Sequence, residues 1–82
     1  MHRPLIQYPC QWSYRVIGRD RQAITRAVAE CCRGYEYELS ASNRSRHGKY
    51  FSLAVSVRVP AESDRDGLYR ALSGHPDVKM VL

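Results

Sequence analysis

The sequence predicts an α+β fold of ferredoxin-like type, a βαββαβ sandwich with a four-stranded antiparallel sheet and two helices on one face. Three observations predict it. The chain has 82 residues, enough for one hydrophobic core and no second domain. Its hydrophobic period switches from two residues to nearly four and back, twice. Each two-residue segment has a single apolar side and each helical segment a single apolar stripe, so one sheet and one helical layer bury both. Right-handed crossovers then place the two helices together.

Residues 1–9 hold Pro4 and Pro9 and show no period. They are expected to form an extended arm, with Leu5, Ile6 and Tyr8 tacked onto a domain that spans 10–82. From Cys10 to Gly18, Trp12, Tyr14 and Val16 alternate with Ser13 and Arg15, the pattern of a half-buried strand. Asp20 then offers an N-cap, and Ile24, Ala27, Val28 and Cys31 form one helical stripe that Gly34 closes. Tyr35, Tyr37, Leu39 and Ala41 alternate with Glu36, Glu38, Ser40 and Ser42, a charged strand suited to a sheet edge. A polar turn over 43–48 leads into the clearest strand. There Phe51, Leu53, Val55, Val57 and Val59 alternate with Ser52, Ala54, Ser56 and Arg58 until Pro60. Ser63 and Asp66 resemble a capping box before the short apolar face of Leu68, Ala71 and Leu72. Gly74, His75 and Pro76 turn the chain into a last strand with Val78, Met80 and Leu82 on one side. The opposite sheet face is expected to stay open, carrying Ser13, Arg15, Ser52, Ala54, Ser56, Arg58 and Lys79.

Composition narrows the function classes without selecting one. A hydrophobic share of 44% is ordinary for a folded domain, and a net charge of +5 falls short of a dedicated nucleic-acid binder. Three cysteines, two of them adjacent at Cys31 and Cys32 and none in a C-x-x-C pair, suggest neither a disulfide framework nor a zinc site. A reducing cytoplasm is the expected location, since no signal peptide or membrane span is evident. His2, His47 and His75 lie in separate segments without ligand spacing, so no metal and no cofactor is expected. No nucleophile stands beside a base and no glycine-rich loop could cradle a phosphate, so the chain reads as a non-enzyme.

Three surfaces remain. The open face offers Arg15, Ser52, Ser56 and Arg58 to a protein partner or a second copy, because small side chains leave a flat floor that the arginines rim. The loop after the first strand, Gly18, Asp20 and Arg21, could hold a small ligand. The hairpin tip gathers Arg44, Arg46, His47 and Lys49, suited to anions or nucleic acid, although a solvated turn is the commoner reading of such a tip. RNA recognition of the usual ferredoxin-like kind lacks its stacking platform: Lys49 occupies the first aromatic place, and Phe51 shares the parity of Leu53 and faces the core.

Tyr8-Pro9, Tyr14-x-Val16-x-Gly18, Gly48-x-Tyr50-x-Ser52 and Val78-x-Met80-Val81-Leu82, taken in this order, resemble the YbeD-like family of small uncharacterised bacterial proteins. The resemblance implies a ferredoxin-like fold similar to the ACT regulatory domain, and a link to lipoate attachment. ACT domains carry Gly-x-Asp-Arg-Pro-Gly after the first strand. Here Gly18, Asp20 and Arg21 match, whereas Gln22 and Ala23 depart from the pattern and weigh against an amino-acid ligand. The reading is a regulatory or adaptor module working through its open face, with an ACT-like ligand sensor as the alternative and anion binding by the hairpin third.

Overall fold

In a computed structural model that describes residues 6–44 and 48–82, the chain runs β1 (Cys10–Gly18), α1 (Arg21–Cys31), β2 (Tyr37–Arg44), β3 (Phe51–Val59), α2 (Glu62–Ser73) and β4 (Met80–Val81). The sheet order is β2-β3-β1-β4, and every adjacent pair is antiparallel. This is the ferredoxin-like sandwich, with β3 and β1 at its centre. The β1–β3 register is unbroken from Cys10 opposite Val59 to Gly18 opposite Phe51.

The core lies between this sheet and the helices. Val16, Leu53, Val55, Val57 and Val59 point down from β1 and β3 onto Ile24, Ala27 and Val28 of α1 and Leu68 and Leu72 of α2. Among the described residues no polar or charged side chain is buried. The helices cover β1, β3 and β4 but not β2, which leaves Leu39 exposed on the edge strand.

Several boundaries differ from expectation, each for a local reason. Helix α1 ends before Gly34: Cys32 is its C-cap, with its N–H on the Val28 carbonyl, and Gly34 adopts φ 89° two residues further on. The inward stripe therefore falls on Ala23, Ile24, Ala27 and Val28 and continues to Cys32, which is fully buried, while Cys31 is only partly so. Helix α2 starts one residue before the proposed Ser63–Asp66 box, and its N-cap Ala61 makes no side-chain cap. Arg65 pairing with Glu62 at 3.1 Å steadies the first turn instead. Ala71 faces solvent.

Strand β2 begins at Tyr37, not Tyr35, and runs through Asn43 to Arg44, two residues into the expected turn. A register shift between Leu39 and Ala41 interrupts its alternation, so Leu39 lies opposite Val55 whereas Ala41 lies opposite Ala54. At β4 the Lys79 N–H reaches the Ile17 carbonyl, and Met80 pairs with Ile17 and Val81 with Val16. Val78 and Val81 are thereby buried, and Met80 and Leu82 turn outward rather than sharing the inner side with Val78. In the expected N-terminal arm, Leu5 lies outside the described residues, Ile6 is exposed and Tyr8 packs against the core.

Candidate functional site

The helix-free face is built by the parity of β1 and β3. Opposite one another stand Gln11 and Arg58, Ser13 and Ser56, Arg15 and Ala54, and Ile17 and Ser52. Nine residues at about 3.3 Å each make a floor about 30 Å long, and four strands spread it to roughly 19 Å. Arg15, Ser52, Ser56 and Arg58 thus share one surface. Ser56 is engaged there, its hydroxyl donating to Gln11 Oε1 at 3.0 Å.

Two features of this face were not anticipated. Along β4, Met80 is 50% and Leu82 67% exposed, and reciprocal main-chain bonds of 2.9 and 2.8 Å bind Leu82 to Arg15. Ile17, Met80, Leu82 and Ala54 therefore form an apolar corner beside Arg15. At the diagonally opposite corner the Arg58 N–H donates to the Glu36 carbonyl, and Glu36 and Glu38 line a concavity of about 690 Å³ with Gln11, Tyr35, Tyr37 and Ser56. Ile17 carries the outward parity of Arg15, a signal the sequence did contain; the outward turn of Met80 and Leu82 depended on the pairing of β4.

The loop after β1 is a packing junction. Asp20 caps α1 by accepting the Gln22 N–H at 2.9 Å, and Arg21 is exposed in the first turn. A Cβ on Gly18 would lie 2.7 Å from the Asp77 carbonyl oxygen and run into the Ile24 side chain. The glycine therefore serves close packing of β1, α1 and the approach to β4. Beside it is a cleft of about 340 Å³ lined by Arg19, Asp20, Ala23, Pro76, Asp77, Val78 and Lys79. Lys79 belongs to this cleft at the strand ends. Next to Pro76, His75 Nδ1 accepts the Asp77 N–H at 3.1 Å and its Nε2 lies 2.9 Å from Glu30 Oε2.

Of the hairpin group, Arg46 and His47 lie outside the described residues. Arg44 sits 5.8 Å from the Phe51 ring centroid and lies across Gly48, so its guanidinium is engaged with the protein. Lys49 is exposed and lines a third concavity, of about 370 Å³, with Arg19 and Tyr50.

Two of the three thiols are held above their ordinary range. Burial raises Cys32 to about 11 and also pushes Cys31 up. Among the described residues no group of three or more His, Cys, Asp or Glu could hold a metal ion. No helix there is long and apolar enough to cross a membrane.

A family profile described as a protein of unknown function, DUF493, matches residues 3–82. A UPF0250 protein of Paraburkholderia phytofirmans is 31% identical over 86 residues, covering 100% of this chain and 97% of its own length. Another, from Nitrosomonas europaea, is 32% identical over 82 residues, covering 95% and 94%. The solution structure of a Helicobacter pylori protein superposes with a TM-score of 0.75 at 30% identity, covering 98% of this chain and 88% of that one. The ACT domain of a Chlorobium tepidum GTP pyrophosphokinase superposes at 0.62 with 14% identity, covering 88% of this chain and 94% of that one, a likeness of fold alone.

Proposed function

The chain belongs to the DUF493 family of bacterial proteins of unknown function, and from that starting point we propose that it is a non-catalytic regulatory or adaptor module that docks a protein on its open sheet face. One observation carries the reading. The two central strands expose the small side chains Ser13, Ser52, Ala54 and Ser56 on one face, with Arg15 opposite Ala54, Arg58 one row beyond Ser13 and Ser56, and Met80 and Leu82 outward beside Arg15.

The concavity at the centre of this floor, lined by Ser13, Tyr14, Arg15, Ala54 and Leu82, is about 230 Å³, below the range of small-molecule sites, and the larger one lies at the Glu36–Glu38 corner. A footprint of roughly 500 Å², smaller than the ~800 Å² per partner of a standard stable interface, suits a transient contact. Arg15 beside an apolar corner fits a partner with a carboxylate next to an apolar side chain. Proteins of lipoate attachment are the first partners to test, from the family resemblance.

The reading is tested by immobilising the protein, challenging it with bacterial lysate and quantifying retained proteins against two variants. Arg15→Glu with Arg58→Glu alters only exposed charges, and Met80→Glu only an exposed apolar side chain, so both should keep the fold. A partner retained by the parent and lost from both variants is the expected result. Retention by both variants with loss in Arg21→Ala would move binding to the α1 loop and favour the ligand-sensor alternative.

A further inference from the structure

We propose that the end of the sandwich where β1 stops and β3 starts binds the phosphate group of a small phosphorylated molecule, between Arg19 and Lys49 and against Tyr50. The site is separate from the open face.

The register brings these residues together. Gly18 pairs with Phe51 as the last rung of β1–β3, so Arg19 and Tyr50 lie just beyond it on neighbouring strands, and Lys49 is next in the chain. Together they line a concavity of about 370 Å³, within the range of small-molecule sites, and no carboxylate lines it. Lys79 adds a third cation at the margin, since Arg19 also lines the adjoining cleft with Lys79. Of the carboxylates of that second cleft, Asp20 accepts the Gln22 N–H on Oδ1, and neither Asp20 nor Asp77 lines the Arg19–Lys49 concavity.

Among the described residues Arg19, Lys49 and Lys79 make no ion pair, whereas Arg65 is paired with Glu62 and Asp66, and Arg44 lies over Phe51. Arg19 and Lys49 share a concavity that no carboxylate lines, so the two like charges repel one another there and a bound dianion turns that repulsion into attraction. The arginine fork matches two phosphate oxygens, the lysine supplies a point charge, and the Tyr50 ring gives the organic part an apolar wall. Two principal cations fit one phosphate. A polynucleotide would need a longer basic track.

The test is titration of ¹⁵N-labelled protein with glycerol phosphate, inorganic phosphate and a single-stranded oligonucleotide, followed by amide shifts. The expected result is saturable shifts confined to residues 18–20 and 48–51. Affinity for glycerol phosphate should fall about tenfold or more in Arg19→Gln and Lys49→Gln and stay unchanged in Arg26→Gln, a distant exposed arginine. All three positions are solvent-exposed, and an unaltered remainder of the spectrum verifies the fold of each variant. Saturation of the same amides by inorganic phosphate supports the phosphate site, and tighter ester binding adds the Tyr50 wall. Shifts that never saturate, equal loss in Arg26→Gln, or tighter binding of the oligonucleotide than of the ester would overturn the proposal.

Discussion

The Arg65 guanidinium lies over the Trp12 ring, 4.7 Å from its centroid, and ties the start of α2 to the start of β1. The same residue accepts the Tyr14 hydroxyl on its main-chain carbonyl at 2.7 Å, and its side chain pairs with Glu62 and Asp66 at 3.1 and 3.3 Å. One arginine thus serves as both lid and clasp for the aromatic end of the sheet. Arg65→Ala should cost about 1–2 kcal/mol, through the ring contact and the lost packing of the stem. For a domain of this size that corresponds to a fall in Tm of roughly 4–16 °C. Trp12 emission should shift red as water reaches the ring. An unchanged melting curve would show that the stacking contributes nothing.

Gly18 and Gly34 make opposite demands on an alanine. At Gly18 the new Cβ meets the Asp77 carbonyl and Ile24, both held by the core, so Gly18→Ala should destabilise by about 1–3 kcal/mol through overpacking. At Gly34 the space is empty and only φ 89° resists, which makes about 1 kcal/mol the expected cost. Chemical denaturation of the two variants checks the order. A smaller loss at Gly18 than at Gly34 would contradict the close packing of β1 on the loop before β4.

Thiol labelling should distinguish two environments. Cys32, fully buried and raised to about 11, should resist a thiol reagent at pH 8 until the protein is unfolded, while Cys10 and Cys31, both partly exposed, react in the folded state. Mass spectrometry of partially labelled protein reads the sites directly. Early labelling of Cys32 would refute its burial in the core.

Tyr14 is nearly buried, and desolvation lifts its hydroxyl to about 12. The folded value exceeds the unfolded one near 10, so the contribution is fully present below pH 10 and is lost as pH rises toward 12. A two-unit shift corresponds to at most about 2–3 kcal/mol. Denaturation midpoints should therefore fall between pH 10 and 12 in the parent, and less steeply in Tyr14→Phe, which has no proton to lose there.

The periodicity of β1 and β3 was legible because both faces of each strand are decided locally. Every residue is either against the helices or away from them, and an uninterrupted two-residue alternation from Cys10 to Gly18 and from Phe51 to Val59 records that choice. The edge strands were less legible. In β2 the bulge beyond Leu39 resets the alternation with no glycine or proline to announce it. In β4 two residues carry too little pattern to say which of Val78, Met80, Val81 and Leu82 faces in. The helical stripe of α1 was read correctly through Val28 and then misplaced by one residue, because 3.6 residues per turn leaves positions 31 and 32 nearly equivalent until a neighbouring surface selects Cys32.

By itself the sequence determined the order of the elements, the two-layer architecture and the outward arginines of the central strands, since these follow from alternation and length, properties of the chain read along itself. Tertiary structure alone decided what stands beside what. The β1–β3 register set Arg19 next to Lys49 and Tyr50, and the pairing of β4 turned Met80 and Leu82 outward beside Arg15. Contacts between residues so far apart in the chain depend on strand register and on which surfaces the helices leave uncovered. No local window of sequence contains either quantity.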